Sequence, residues 1–261
     1  MESHQLQFSD DATCDENLCL AVKILNNYLL VESFSFIFKT NYHIDFEISK
    51  KKLNEIKILY ASHEKKDKDA DYLAWTDRCL DPKIIFINQI FRQRLDYLKN
   101  GHKKTKKKET EIIVVFFSFL LIHELGHLLL RWKGELNSPT TFGEAGFFLE
   151  NKLFGGTVQL LIIPSKDWSV NSECIGIAIN KPLGYKELDA KILSYQKYIH
   201  KIYNMTLSFD IYVNPVYLKK PIEKGARAMK QADEEVEIEE QHADYITLES
   251  LGILKCGLQK H

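Results

Sequence analysis

Apolar residues recur at helical spacing over residues 16–31, ENLCLAVKILNNYLLV, and predict a helix. FSFIFKTN (34–41) alternates and is rich in aromatic residues, which suits a strand. KKLNEIKILYAS (51–62) ends in another strand-like run, and the charge cluster EKKDKDAD (64–71) predicts a solvated loop. DPKIIFINQIFRQRLDYLK (81–99) passes through a β-like IIFI and then turns helical, with Ile90, Phe91, Leu95 and Leu98 facing inward. GHKKTKKKET (101–110) reads as a basic loop. Residues 110–133 then predict one long helix, with Thr110 as its N-cap and Gly134 just past its end. That run is apolar nearly all round, so the helix should be central.

NSPTT (137–141) is a turn, and FGEAGFFLENKLFGG (142–156) predicts a second helix closed by Gly155 and Gly156. Thr141 and Glu144 stand at capping-box spacing ahead of it. TVQLLIIP (157–164) and SECIGIAI (172–179) are strand-like. KELDAKILSYQKYIHKIYN (186–204) places Leu188, Ile192, Tyr195, Ile199, Ile202 and Tyr203 at steps of three and four and predicts an amphipathic helix. LSFDIYVNPVYL (207–218) is extended, and QHADYITLESLG (241–252) predicts a closing helix. No internal repeat and no linker rich in Pro, Gly or Ser interrupts the pattern. The expectation is a flexible tail over 1–15 and one α+β domain over 16–261.

Composition changes this picture little. The 261 residues are 45% hydrophobic and 27% charged, with a net charge of −1, as in an ordinary globular protein. That balance does not suggest a nucleic-acid or membrane-surface binder. The N-terminus lacks the basic and apolar regions of a secretory signal. Five cysteines, Cys14, Cys19, Cys79, Cys174 and Cys256, include no C-x-x-C pair, which argues against a disulfide framework or a cysteine-built zinc site. The expectation is an intracellular protein, cytoplasmic or nuclear, with reduced thiols.

The apolar run 112–122, IIVVFFSFLLI, extended by LLL at 128–130, reaches transmembrane length. It carries His123, Glu124 and His127 in its second half, and no comparable second segment exists to shield them in a bilayer. The expectation is therefore a core helix.

His123 and His127 are four apart, so on a helix they share a face. Each can present an imidazole nitrogen to one ion. Glu124 lies about 100° around the helix from His123, placed to take a proton from a water in the ion's open position. This is the physical reason for H-E-x-x-H spacing. Burying these groups among apolar flanks without partners is unfavourable, and a metal removes that cost. A satisfied, metal-free polar cluster is the alternative. Gly126 leaves room beside the site for another chain or a substrate to approach closely.

The stretch LLIHELGHLLL resembles the motif helix of the zincin metallopeptidases, and the resemblance covers roughly residues 112–156. It implies a small sheet packed on a central H-E-x-x-H helix, a Zn²⁺ ion and a peptide or protein substrate. It also implies that Glu124 is the general base. Trp132 and Lys133 stand where the metzincin extension would bring a third histidine, which leaves the gluzincin-like pattern. There a second helix supplies a glutamate as third ligand.

Three glutamates compete for that place. Glu144, in GEAG, sits between small residues, and EAGFFL looks like the third-ligand segment (EANxFA) of small regulator-cleaving peptidases found beside bacterial repressors. Glu150 falls level with the histidines if the second helix starts at Thr141 and runs antiparallel, with Glu144 as a cap. On one helix the two are about 240° apart and cannot both face one ion. Glu240, in EQHAD, forms a third gluzincin-like pattern in which Asp244 would orient a histidine. Bland readings are a cap for Glu144, a surface charge for Glu150 and a solvated acidic face for Glu240.

Two other functions stay open. A zinc-stabilised scaffold without turnover would have a fourth ligand, such as His102 or His242. A nucleic-acid-associated regulator would use the basic run 103–108. His200, Tyr203, Tyr212 and Tyr217 could stabilise an oxyanion only if their segments border the cleft.

Overall fold

The computed structural model describes residues 7–29, 42, 46–62, 72–99, 104–138, 144–163, 169–183, 187–207, 218–219 and 252–255. The chain is α+β, with helices gathered around one buried helix and two small sheets. Helix α1 spans Glu16–Leu29. Asp15 starts it, its Oδ1 accepting from the N–H groups of Asn17 and Leu18, each at 3.0 Å. Leu18, Ala21, Val22, Leu25 and Tyr28 form its buried stripe. Residues 7–15 were expected as tail, yet Phe8 and Ala12 are buried and the Ala12 carbonyl accepts from Ile58 N–H at 2.8 Å. The polar composition of the N-terminus hides these two apolar anchors.

Helix α2, Phe46–Glu55, leads into strand β1, Lys57–Ala61. Strands β2, Ala74–Thr76, and β3, Ile84–Asn88, complete a three-stranded sheet of order β1-β3-β2. β1 and β3 are parallel, and β2 is antiparallel to β3. Helix α3, Gln89–Lys99, follows directly and buries Phe91, Leu95 and Leu98, as the spacing predicts, while Ile90 is only half-buried.

Helix α4 runs from Lys104 to Trp132 and is the centre of the fold. It begins earlier than the sequence pattern predicts, because the basic run 104–110 is helical and not a loop. Lysine is a good helix former, and its long stem finds apolar cover here. Lys106 Nζ lies 4.9 Å from the Tyr97 ring and Lys108 Nζ 4.8 Å from the Tyr195 ring. Thr110 is not the cap: its hydroxyl donates to the Lys106 carbonyl inside the helix at 3.0 Å.

By length and composition α4 could cross a membrane, but 94% of its apolar window is buried within the protein. Its neighbours include α1, where Ser118 Oγ donates to the Ala21 carbonyl, and α3, where Phe91 meets Phe117 edge-on at 5.2 Å. The helix ends as expected. Gly134 has φ 99°, its N–H reaches the Arg131 carbonyl, and Glu135 N–H reaches the Leu130 carbonyl. That pair of bonds needs a left-handed residue, and glycine adopts it without strain.

Helix α5 spans Ala145–Phe154, shorter than the predicted 142–156, and Glu144 rather than Thr141 is its N-cap. Strand β4, Thr157–Ile163, pairs with β5, Glu173–Leu183, on one side and with β8, Gly252–Lys255, on the other. β6, Glu187–Leu193, and β7, Leu218–Lys219, extend an antiparallel sheet of order β7-β6-β5-β4-β8. The helix expected over 186–204 is therefore half strand. Only its second half is helical: a π turn at Tyr195–Ile199 and α6, His200–Tyr203. Positions 188, 190 and 192 also alternate, and pairing with β5 decides the outcome in favour of period two. The predicted strand at 34–41, the loop at 64–71, the extended segment 207–218 apart from its two ends and the helix expected over 241–252 apart from Gly252 lie outside the described residues, and Gly252 begins strand β8.

Candidate metal centre

α4 and the entry to α5 meet at the H-E-x-x-H turn. His123 and His127 share one face of α4, their ring centroids 5.4 Å apart. Glu144 approaches that face from the start of α5. Its Oε1 pairs with His127 Nε2 and lies 3.4 Å from His123 Nε2. Each of the three residues offers a ligand atom, and those atoms lie within 4.8 Å of one another. His123 is fully buried, whereas the His127 and Glu144 side chains keep 13% and 19% exposure, so the cluster opens on their side.

Two glycines make the approach possible. A Cβ on Gly126 would stand 2.6 Å from the Ala145 carbonyl oxygen. One on Gly146 would stand 2.4 Å from the His123 ring. The close approach expected at Gly126 is thus the N-terminus of α5, and Gly146 lets the His123 ring lie flat on that helix.

The Glu144 carboxylate does two things at once. Oε2 accepts from Phe147 N–H at 2.8 Å and caps α5, while Oε1 faces the histidines. Because Glu144 precedes the helix, the 240° separation from Glu150 does not apply. Glu150 sits in α5, fully buried, on the other side of the His123 ring. Its Oε1 is 2.7 Å from His123 Nδ1 and its Oε2 accepts from Val158 N–H at 2.6 Å. Glu150 is therefore not a ligand in this arrangement, nor a surface charge. It is placed to accept the Nδ1 proton, and in the neutral ring that pairing leaves the Nε2 lone pair facing the cluster.

Electrostatics favour a cation here. Burial alone would suppress an imidazolium at His123, but Glu144 and Glu150 raise its pKa well above the ordinary value. Burial likewise pushes Glu144 up, and the two histidines overcome it and hold the carboxyl well below the usual range. Glu124 is buried, and burial raises its pKa against the pull of His127 and His123. His123 Nε2 and Glu144 Oε1 are buried without a well-formed hydrogen bond among the described residues. Two imidazole nitrogens and one carboxylate oxygen converging this way fit a divalent metal.

The remaining candidates fall elsewhere. His200 belongs to a separate cluster, its Nδ1 2.7 Å from Glu111 Oε2, which also accepts from Tyr195 Oη at 2.7 Å. Glu111 lies twelve residues before His123 on α4, about 18 Å along the axis, so His200 and the neighbouring Tyr203 do not border the metal cluster. Glu240, Asp244, His102, His242, Tyr212 and Tyr217 lie outside the described residues. Sequence reasoning missed Arg131 and Glu111, two charged residues buried on α4 itself. A charged residue inside an otherwise apolar helix was the available signal for both. Comparison of the chain with protein-family models, curated proteins and solved structures finds no match.

Proposed function

We propose that the protein is a zinc-dependent metallopeptidase of zincin-like architecture, acting on a peptide or protein substrate inside the cell. The carrying observation is the convergence of His123 Nε2, His127 Nε2 and Glu144 Oε1 beside Glu124. These three residues would hold the zinc, which when bound supplies Lewis-acid activation of a water and of a peptide carbonyl. Glu124 accepts the proton of the attacking water and returns it to the leaving amine. Burial raises its pKa, the direction that suits a group that must both take and give a proton. Glu150 holds His123 in one tautomer and one orientation. Unpaired Cys14, Cys19, Cys79 and Cys174 fit a reducing compartment.

The test is zinc content together with cleavage of a peptide library by wild type and Glu124→Gln. The variant should keep zinc and lose cleavage. A second reading, a zinc-stabilised protein without turnover, is favoured by one observation: Glu124 is only 2% exposed. Zinc in wild type with no cleavage of any library peptide would select it.

A further inference from the structure

The last turn of α4 carries a buried charge that joins no ion pair among the described residues. Arg131 is 4% exposed, and its Nη1 is buried without a hydrogen-bond partner. Among the described residues it joins no ion pair. Arg94 shows the usual alternative: its guanidinium grips Glu109 through two bonds of 2.7 Å. The groups close enough to act on the Arg131 charge are Glu124, Cys79, Arg78 and Asp77. Residues 77–79 form the exposed turn after β2, and their charges reach Arg131. Thr76, which ends β2, also has a buried hydroxyl without a partner.

Helix geometry ties Arg131 to the chemistry. Seven residues from Glu124 put it within about 20° of the same face, roughly 10 Å along the axis. His127 lies one turn before it. A buried guanidinium outside any ion pair is unfavourable, and burial pulls its pKa down against the opposing pull of Glu124. A ligand that brings an anion would satisfy it. The planar fork matches a carboxylate through two parallel hydrogen bonds. A peptide substrate supplies carboxylates, and the axial offset equals about three residues of extended chain.

We propose that Arg131 binds a carboxylate of the peptide substrate a few residues from the bond to be cut. The enzyme then selects peptides that carry an acidic side chain or a free C-terminus at that distance. This assignment rests on the metallopeptidase reading of the adjacent centre.

The test uses the full chain stripped of metal, so that no peptide is cleaved. Three fluorescein-labelled peptides share one apolar sequence: one with a free C-terminal carboxylate, one amidated, and one amidated with an internal glutamate. Wild type should bind at least one acidic peptide about tenfold tighter than the neutral amide, a difference that a charge-assisted pair supplies. The peptide that gains identifies the source of the carboxylate. Arg131→Met should erase the preference and raise Tm, since it removes an unpaired buried charge. Arg131→Lys should keep a reduced preference. Equal binding of all three peptides by wild type, a preference kept by Arg131→Met, or a Met variant less stable than wild type overturns the assignment. An Arg131-dependent preference in a protein that binds no zinc keeps the carboxylate site and sinks only the metallopeptidase. Zinc binding without the preference does the reverse.

Discussion

Glu150 Oε1 stands 2.7 Å from His123 Nδ1, across the imidazole from the Nε2 that faces Glu144. One histidine therefore joins two carboxylates with different work. Glu144 faces the site, and Glu150 supports it. Replacing Glu150 by Gln should weaken zinc affinity about 10–100-fold, the usual effect of losing a carboxylate behind a histidine ligand. At saturating zinc the stoichiometry should be unchanged. Competition with a calibrated chelator measures this, and affinity equal to wild type contradicts the supporting role.

Gly146 and Gly126 hold the two helices at contact distance. Gly146→Ala puts a methyl into the His123 ring, and Gly126→Ala puts one against the Ala145 carbonyl. Each should cost about 1–3 kcal/mol of stability by overpacking, and Gly146→Ala should also weaken zinc binding. Gly176→Ala is the control, because its nearest neighbour is 3.6 Å away, an ordinary contact. Urea denaturation of the three variants separates them.

Arg94 and Glu109 form a buried pair whose side chains are 8% and 5% exposed. Glu109 Oε1 also accepts from Cys174 N–H at 2.8 Å, which ties α4 to β5. Removing one partner leaves an uncompensated charge, so Arg94→Met should cost about 3–5 kcal/mol. Arg94→Met with Glu109→Leu should recover part of that loss. Denaturation midpoints at constant m-value provide the check.

Cys174 gives a pH dependence with a definite sign. Burial pushes its thiol pKa well above the ordinary value. The folded protein therefore keeps a proton that the unfolded chain releases above about pH 8.5. Stability contributed by the neutral thiol is present below that pH and falls as pH rises beyond it. Cys174→Ala should remove that part of the slope. Iodoacetamide at pH 8 should label exposed Cys14 and Cys79 in the native protein and spare Cys174.

Much of the site was legible in local pattern. The histidine face, the apolar wall, the stop at Gly134 and the need for space at Gly126 follow from spacing and steric rules within one helix. The choice among the three glutamates did not. Capping-box spacing at Thr141 placed the start of α5 three residues early, which put Glu144 and Glu150 on one helix and made them rivals. With the helix starting at Ala145, Glu144 is free to cap and to face the histidines, and Glu150 turns to Nδ1. The strand at 187–193 escaped for a similar reason. Its apolar positions satisfy both periods, and only the partner strand β5 settles which one applies. Non-local pairing decided the second case, and a carboxylate cap the first.

The most direct test of the central claim is metal content by elemental mass spectrometry, on protein purified without added metal. Wild type would be run beside His123→Ala, His127→Ala, Glu144→Ala, Glu150→Gln, Glu240→Ala and Glu124→Gln. The account predicts about one zinc per chain in wild type, as for a three-ligand catalytic site. It predicts loss in the two histidine variants and in Glu144→Ala, and retention in Glu124→Gln, Glu240→Ala and, with zinc saturating, Glu150→Gln. No stoichiometric metal in wild type after zinc is offered back would contradict it, as would zinc that survives Glu144→Ala and disappears in Glu240→Ala.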